Sequence, residues 1–229
     1  MYTAHVLAVA AISILTAPPA GDAPRHPIIS EVLYAVPTYE GDANKDGRRS
    51  ATGDEFIELF NPHDVPIQMG GYTLTDRNPP ELGQMRFRFP QFELGPGEVA
   101  VVFNGFESTW VGPVGDDRRP PPGKHDMFHD AWVFTMHNDS SMTGLANNGD
   151  WVLLSAPDGS AIQCVRWGNM AEIPPLDEAK VDQAPAVFSQ SVVRTSDGRY
   201  RPHADVLGPL RFSPGEHTPG TAHPPKHPE

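Results

Sequence analysis

The sequence predicts an all-β protein with an immunoglobulin-like β-sandwich fold. The 229 residues include 21 glycines and 26 prolines, more turn-forming residues than a helical protein tolerates. Between these turns lie roughly seven short runs of apolar or alternating residues, each of a length typical of a strand. The 11 phenylalanines, 4 tryptophans and 5 tyrosines are enough to fill one hydrophobic core.

The predicted strands follow one another along the chain. Residues 28–34 form the first strand. Residues 56–60 form the second, in which Ile57 and Leu59 lie on one face and Glu58 on the other. A glycine pair within residues 67–75 indicates a bend. The remaining strands are predicted at residues 87–89, 92–94, 99–103, 151–154, 161–167 and 191–194, and an Asp-Gly turn joins the two that flank residue 158.

The stretch from residue 104 to 148 has no clear strand pattern. A connection of about 40 residues is long for a β-protein, which indicates a functional or family-specific loop. Trp110 and Trp132 lie in it and are candidates for binding a ligand such as a carbohydrate through an exposed ring. His125 and His129 would share one face of a helix and could bind zinc there. The prolines before them favour a solvated loop instead.

The two ends of the chain differ from the predicted domain, which covers residues 27–215. Residues 6–17 form an apolar run of about 12 residues, shorter than the roughly 20 that span a membrane, and residues 1–20 therefore predict a signal peptide. No Lys or Arg precedes this run, which leaves a buried N-terminal strand as the alternative. Residues 216–229 are rich in Pro and His and predict a disordered tail. We expect a secreted, periplasmic or cell-surface protein with no transmembrane segment in its mature form.

Residues 41–55 contain the pattern of a calcium-binding loop. Asp42, Asn44 and Asp46 alternate, as do the first three side-chain ligands of an EF-hand, and Gly47 permits the sharp turn that follows. The Arg48 carbonyl could supply a fourth oxygen. A bidentate Glu would stand where the chain has Gly53, so the set would be completed by the next two residues, Asp54 and Glu55. The alternative is a turn rich in Asp and Asn that binds no metal.

The order of these segments resembles the lamin tail domain, the immunoglobulin-like module of nuclear lamins that also occurs in exported prokaryotic proteins. The matching segments are IISEV at residues 28–32, DEFIELFNP at 54–62, MGGYTL at 69–74, FRFPQFELGPGEVAVVF at 87–103, LANNGDWVLLSAPDGSAIQCVRW at 145–167 and SPG at 213–215. Each is short, but together they occur in the family's order.

The resemblance implies a β-sandwich that serves as an interaction or scaffold module and has no catalytic residues. It therefore predicts a partner that is a protein or a polymer of the envelope or extracellular space. Lamin relatives can contact DNA, but the net charge of −12 repels a phosphate backbone and disfavours nucleic acid. The chain also lacks the G-x-S-x-G, H-E-x-x-H and phosphate-loop motifs of common enzymes. A calcium-dependent extracellular hydrolase and a carbohydrate-binding module remain the alternatives.

Overall fold

The computed structural model describes residues 25–169 and 176–216, and these residues fold mainly into short strands. The predicted signal peptide and nearly all of the predicted tail lie outside the described residues. The strands are β1 (Ile28–Leu33), β2 (Phe56–Phe60), β3 (Ile67–Gln68), β4 (Thr73–Thr75), β5 (Arg86–Arg88), β6 (Glu93–Leu94), β7 (Val99–Phe103), β8 (Val114–Gly115), β9 (Trp132–Thr135), β10 (Gly149–Ser155), β11 (Ala161–Gly168), β12 (Val181–Gln183), β13 (Val192–Arg194) and β14 (Tyr200–Pro202). An α-helix, α1 (His203–Leu207), follows the last strand, and short 3-10 helices span Pro80–Leu82, Asp126–Phe128 and Glu178–Lys180.

Two main sheets form the sandwich, which confirms the predicted fold class. One sheet has seven strands in the order β14-β13-β1-β2-β7-β9-β8. The other has five, in the order β12-β11-β10-β4-β5, and β3 pairs with β6 in a small separate ribbon. No helix in the described residues is both long enough and apolar enough to cross a membrane.

The main hydrophobic core lies between the two sheets. Ile57 and Leu59 enter it from β2, because residues two apart on a strand share a face. Trp167 in β11 stacks on Tyr34 with ring centroids 4.2 Å apart. The Tyr34 hydroxyl donates to the Pro185 carbonyl and accepts from the Val187 backbone N–H, which fixes the chain before β13.

A second hydrophobic cluster covers the opposite face of the seven-stranded sheet. Phe56, Phe60 and Phe103 lie on this face. Phe128 packs on them from residues 104–148, which follow β7 and which we call the long segment. Phe212 packs against the same cluster from the C-terminal part of the chain. Because both faces of the sheet are covered, all five residues of β2 are buried.

The structure differs from the sequence prediction in three places. The predicted strand at residues 67–75 is two strands, since Gly71 at a φ of 93° turns the chain from the small ribbon into the five-stranded sheet. Strands β8 and β9 lie within the predicted long loop, and β9 pairs in parallel with both β7 and β8. Strands β12 and β14 were not predicted, and each is only three residues long.

Candidate functional site

The acidic loop, residues 41–54, connects β1 to β2 and gathers its polar oxygens around a tight turn. The Asp46 backbone N–H donates to Asp42 Oδ1 and to Asn44 Oδ1, each at 3.0 Å. The Gly47 N–H donates to Asp42 Oδ2 at 2.9 Å, with Gly47 at a φ of 86°. The Arg48 N–H donates to Asp46 Oδ1 at 2.8 Å. These contacts bring the Asp42 and Asn44 oxygens to the same side of the turn.

Asp54 closes the acidic loop from its far end. Its two carboxylate oxygens accept from the Asn44 N–H at 2.9 Å and the Ser50 N–H at 2.6 Å. The side chain is buried, and burial raises its pKa to about 6, with the nearby Asp42 charge adding to the shift and hydrogen bonds opposing it. Asp54 therefore links the two halves of the loop, and both of its carboxylate oxygens accept hydrogen bonds from the backbone.

The structure does not bring Glu55 to the acidic loop. Its carboxylate accepts from the Leu145 backbone N–H at 3.0 Å, and burial raises its pKa well above the usual value. The carboxylates of Asp76 and Asp150 raise that pKa further. The turn at residues 51–54 directs the Asp54 carboxylate into the loop, whereas the Glu55 carboxylate is bound to Leu145.

The oxygens of the acidic loop fit a calcium ion only if neutral ligands are included. Within residues 25–169 and 176–216, no group of three or more His, Cys, Asp or Glu side chains is arranged to hold a metal ion. Calcium also takes amide and carbonyl oxygens. A calcium site here would have to combine the carboxylates of Asp42 and Asp46 with Asn44 Oδ1 and the Arg48 carbonyl.

The acidic loop also holds the long segment that follows β7. Asn44 Nδ2 donates to Ser108 Oγ at 2.7 Å, and the Thr109 N–H donates to Asp46 Oδ2 at 2.9 Å. Lys45 Nζ donates to the Met127 carbonyl and lies 4.7 Å from the centroid of the Phe128 ring. Burial lowers the pKa of Lys45. Direct contacts therefore join the acidic loop to the long segment.

Comparison with known families agrees with this architecture. The sequence profile of the family described as Lamin Tail Domain matches residues 21–169, more than half of the chain. The chain belongs to the lamin tail domain family. The match includes the acidic loop and both strands of the β10–β11 hairpin, and it ends before β12, β13, β14 and α1. No curated protein matches the chain in sequence.

The two tryptophans that were candidates for ligand binding are partly buried and pack against the hydrophobic clusters of this lamin tail domain. Trp110 is partly buried, with its ring 5.4 Å from that of Phe103. Trp132 lies 5.9 Å from the Phe92 ring and donates through Nε1 to Glu98 Oε2 at 2.8 Å. Apolar packing of the long segment onto the sheet explains both positions. Both rings are therefore partly covered by the protein's own packing, and neither stands fully exposed.

His125 and His129 do not sit on one face of an α-helix. Residues Asp126–Phe128 form a short 3-10 turn, and His129 ends it in the left-handed conformation with a φ of 53°. His129 is exposed. His125 is buried, and its Nε2 lies 2.8 Å from the Val111 carbonyl oxygen. His125 therefore links two parts of the long segment, at residues 111 and 125.

Two features missed in the sequence stand out in the folded lamin tail domain. Val111 is 76% exposed, Met127 is 39% exposed, and Tyr39 in the turn before the acidic loop is 85% exposed. We call these three side chains the loop surface. Glu31 and Glu58 are fully buried inside strands. A glutamate in an otherwise apolar strand is the signal that could have identified the pair, since buried carboxylates are rare without partners.

Proposed function

We propose that this chain is an exported, non-catalytic module that binds a protein or an envelope or extracellular polymer through the loop surface. Membership of the lamin tail domain family supports the binding role, since the family's immunoglobulin-like domains are interaction modules. The negative net charge of 12 disfavours a nucleic acid as the partner.

One observation carries the proposal: the acidic loop fixes the segment that displays the exposed apolar side chains. Direct bonds from Asn44, Lys45 and Asp46 reach this segment at Ser108, Met127 and Thr109. Exposed apolar side chains on an ordered backbone lose little conformational entropy when a partner covers them. Val111 and Met127 therefore form a suitable centre for an interface.

We propose that calcium strengthens this arrangement. In the absence of a cation the Asp42 and Asp46 carboxylates repel each other, and the Asp42 charge also disfavours ionised Asp54. A bound calcium ion would remove that repulsion and hold the turn in the geometry that fixes Thr109. Binding of the partner would then be stronger with calcium than with a chelator.

Export is the second part of the proposal and rests on the apolar run at residues 6–17. N-terminal sequencing of the natively expressed protein should begin near Gly21 or Pro24. Intact Met1 on the soluble cytoplasmic protein would contradict export and leave the binding role open.

Capture of partners by the mature domain from its own envelope fraction tests the binding role. A variant with Val111→Ser and Met127→Ser should lose the captured partner, whereas Leu82→Ser should retain it. Leu82 is a matched control because it is 69% exposed but lies in a different loop. Equal capture by both variants would show that the loop surface is not the interface. Capture that is equal with calcium and with chelator would contradict only the role of calcium.

A further inference from the structure

Glu31 and Glu58 form a carboxyl pair in the middle of the seven-stranded sheet. They are directly opposite each other in the antiparallel pairing of β1 with β2, so their side chains share one face. Both are 0% exposed. In the described part of the chain neither makes an ion pair with Lys, Arg or His. Two ionised carboxylates without a counter-ion are strongly disfavoured in such a place.

The carboxyl pair receives its hydrogen bonds mainly from the C-terminal part of the chain. Glu31 Oε1 accepts from Ser191 Oγ at 2.6 Å and from the Ser213 N–H at 3.1 Å. Glu58 Oε2 accepts from the Gly215 N–H at 2.8 Å. Its other oxygen, Oε1, accepts from Ser30 Oγ at 2.6 Å. The pair thus fastens residues 203–216, which we call the C-terminal segment, to the sheet.

Other titratable groups that face this region do not neutralise the pair. His203 Nδ1 lies 2.9 Å from the Leu210 carbonyl, and its Nε2 lies 2.9 Å from Ser213 Oγ. An Nδ1–H that donates to the carbonyl leaves Nε2 to accept from the serine, and burial lowers the pKa of His203, so the ring is neutral. Glu216 adds a further negative charge near both glutamates.

A shallow cavity beside Gly215 and Glu216 brings in the remaining charged groups. Lys124, His129, Asp130 and Glu98 line it. Lys124 Nζ is ion-paired with Glu98 Oε1 at 2.5 Å. The lysine of this cavity is therefore paired with another carboxylate, and the Arg211 guanidinium donates to the Ser189 carbonyl. Protonation is then the means by which the pair loses its charge.

We propose that Glu31 and Glu58 attach the C-terminal segment in a pH-dependent manner, with at least one of the two carboxyls protonated in the attached state. When both ionise, their mutual repulsion inside the sheet weakens the contacts to Ser213 and Gly215, and the segment detaches more often. Burial raises the pKa of Glu31 to about 7 and that of Glu58 well above its usual value, the latter with the Glu31 charge as a second cause. This inference is independent of the function proposed for the loop surface.

The direction of the effect follows from these raised pKa values. The folded protein holds a proton that a glutamate of the unfolded chain, with its usual pKa of 4.5, releases as the pH rises above that value. Attachment is therefore tightest in acid and weakens as the pH rises through about 7. His203 works in the opposite direction, because protonation of a buried neutral ring would weaken the segment only below its usual pKa of 6.5.

Hydrogen–deuterium exchange of the full chain, read by mass spectrometry, tests the proposal. Between about pH 5.5 and about pH 8.5, and after correction for intrinsic exchange, protection in peptides covering residues 203–216 should fall at least about tenfold, the effect of one pKa unit. Peptides from the β10–β11 hairpin serve as an internal reference and should change little. Unchanged protection of the C-terminal segment over this range would overturn the proposal.

Glu58→Gln is the decisive variant because an amide mimics the protonated carboxyl. Its oxygen can accept from the Gly215 N–H, and its NH₂ can donate to Ser30 Oγ. Glu31 keeps a raised pKa of its own in this variant, so the response should become flat only when Glu31→Gln is added. In the double variant the protection of residues 203–216 should stay within about threefold across the same pH range. Glu31→Gln alone provides a second test in case the double variant does not fold, and Glu81→Gln on the surface is the matched control. A pH response of the double variant equal to that of the wild type would reject the carboxyl pair as the cause.

Discussion

The acidic loop and the carboxyl pair use the same kind of side chain under opposite conditions. In the loop, Asp42 and Asp46 lie near solvent and their oxygens accept mainly from backbone N–H groups. In the sheet, Glu31 and Glu58 have no exposure and face each other directly. A hydrated cation can reach the first pair of carboxylates but not the second. Burial therefore distinguishes the two proposals, a metal ion for the loop and a proton for the carboxyl pair.

The largest effect should come from deleting one member of the buried pair. Glu31→Ala leaves the Ser191 hydroxyl and the Ser213 N–H without their acceptor and opens a cavity. At about pH 5 the free energy of unfolding should fall by about 3–5 kcal/mol, since each unsatisfied buried donor costs about 1–3 kcal/mol. Urea denaturation measures the change. A loss below about 1 kcal/mol would show that the hydrogen bonds of Glu31 contribute little to the free energy of unfolding.

The second effect is the pH dependence of wild-type stability. Glu31 has its pKa raised from 4.5 to about 7, so the folded state binds the proton more tightly than the unfolded chain. Its contribution is complete below pH 4.5 and is lost as the pH rises to about 7, a decrease of about 3 kcal/mol at about 1.4 kcal/mol for each pKa unit. Urea titrations at several pH values measure it, and Glu31→Gln should flatten the curve. Stability that rises from about pH 5 to about pH 8 would contradict the assignment.

The third effect separates the two regions by their response to calcium. Calcium at about 100 times its dissociation constant should stabilise the domain by about 2.7 kcal/mol and raise the melting temperature by about 2–4 °C for each kcal/mol. Asp42→Ala combined with Asp46→Ala should abolish the response, whereas Glu58→Gln should keep it. Magnesium should substitute poorly, because it demands a tighter octahedral site. Identical wild-type melting curves with calcium and with chelator would leave the loop as a turn that binds no metal.

The smallest effect concerns the connection between the acidic loop and the long segment. Lys45→Ala removes the bond to the Met127 carbonyl and the contact with the Phe128 ring. The cost should be about 0.5–1 kcal/mol, typical of a partly exposed cation–π contact. Hydrogen exchange in residues 125–131 should increase while residues 203–216 stay unchanged. Equal loosening of both would mean that the two regions are coupled.

Local patterns in the sequence were enough for the strands that have them. Alternation in β2 and the apolar run of β7 gave the observed bounds, and the Asp-Gly turn placed the β10–β11 hairpin. The short strand β9 has no comparable local signal, because its parallel pairing with β7 depends on residues about 30 positions away. The spacing of residues in the sequence therefore did not indicate that Trp132, the first residue of β9, is partly buried.

The candidate site was likewise predictable where its residues are neighbours in the sequence, and not where they are far apart. The structure brings Asp42, Asn44, Asp46 and Asp54 together, as their clustering in the sequence suggested. Glu55 does not join them, because its carboxylate accepts from the Leu145 N–H. Alternation in β2 predicted that Glu58 and Ile57 lie on opposite faces of the strand. It did not predict that the C-terminal segment and the long segment cover the face that carries Glu58. Contacts between residues so far apart in the chain leave no periodic signal.

The position of β1 in the seven-stranded sheet has a consequence for the order of assembly. β1 lies between β2 and β13, and Glu31 meets its partners Ser191 and Ser213 across 160 and 182 residues of chain. While the polypeptide is being made, one edge of β1 stays unpaired until nearly the whole chain has emerged, and unpaired edges can template pairing with other molecules. Such non-local pairing also makes folding slow. A nascent chain stalled before residue 191 would therefore carry an open edge that a chaperone must shield.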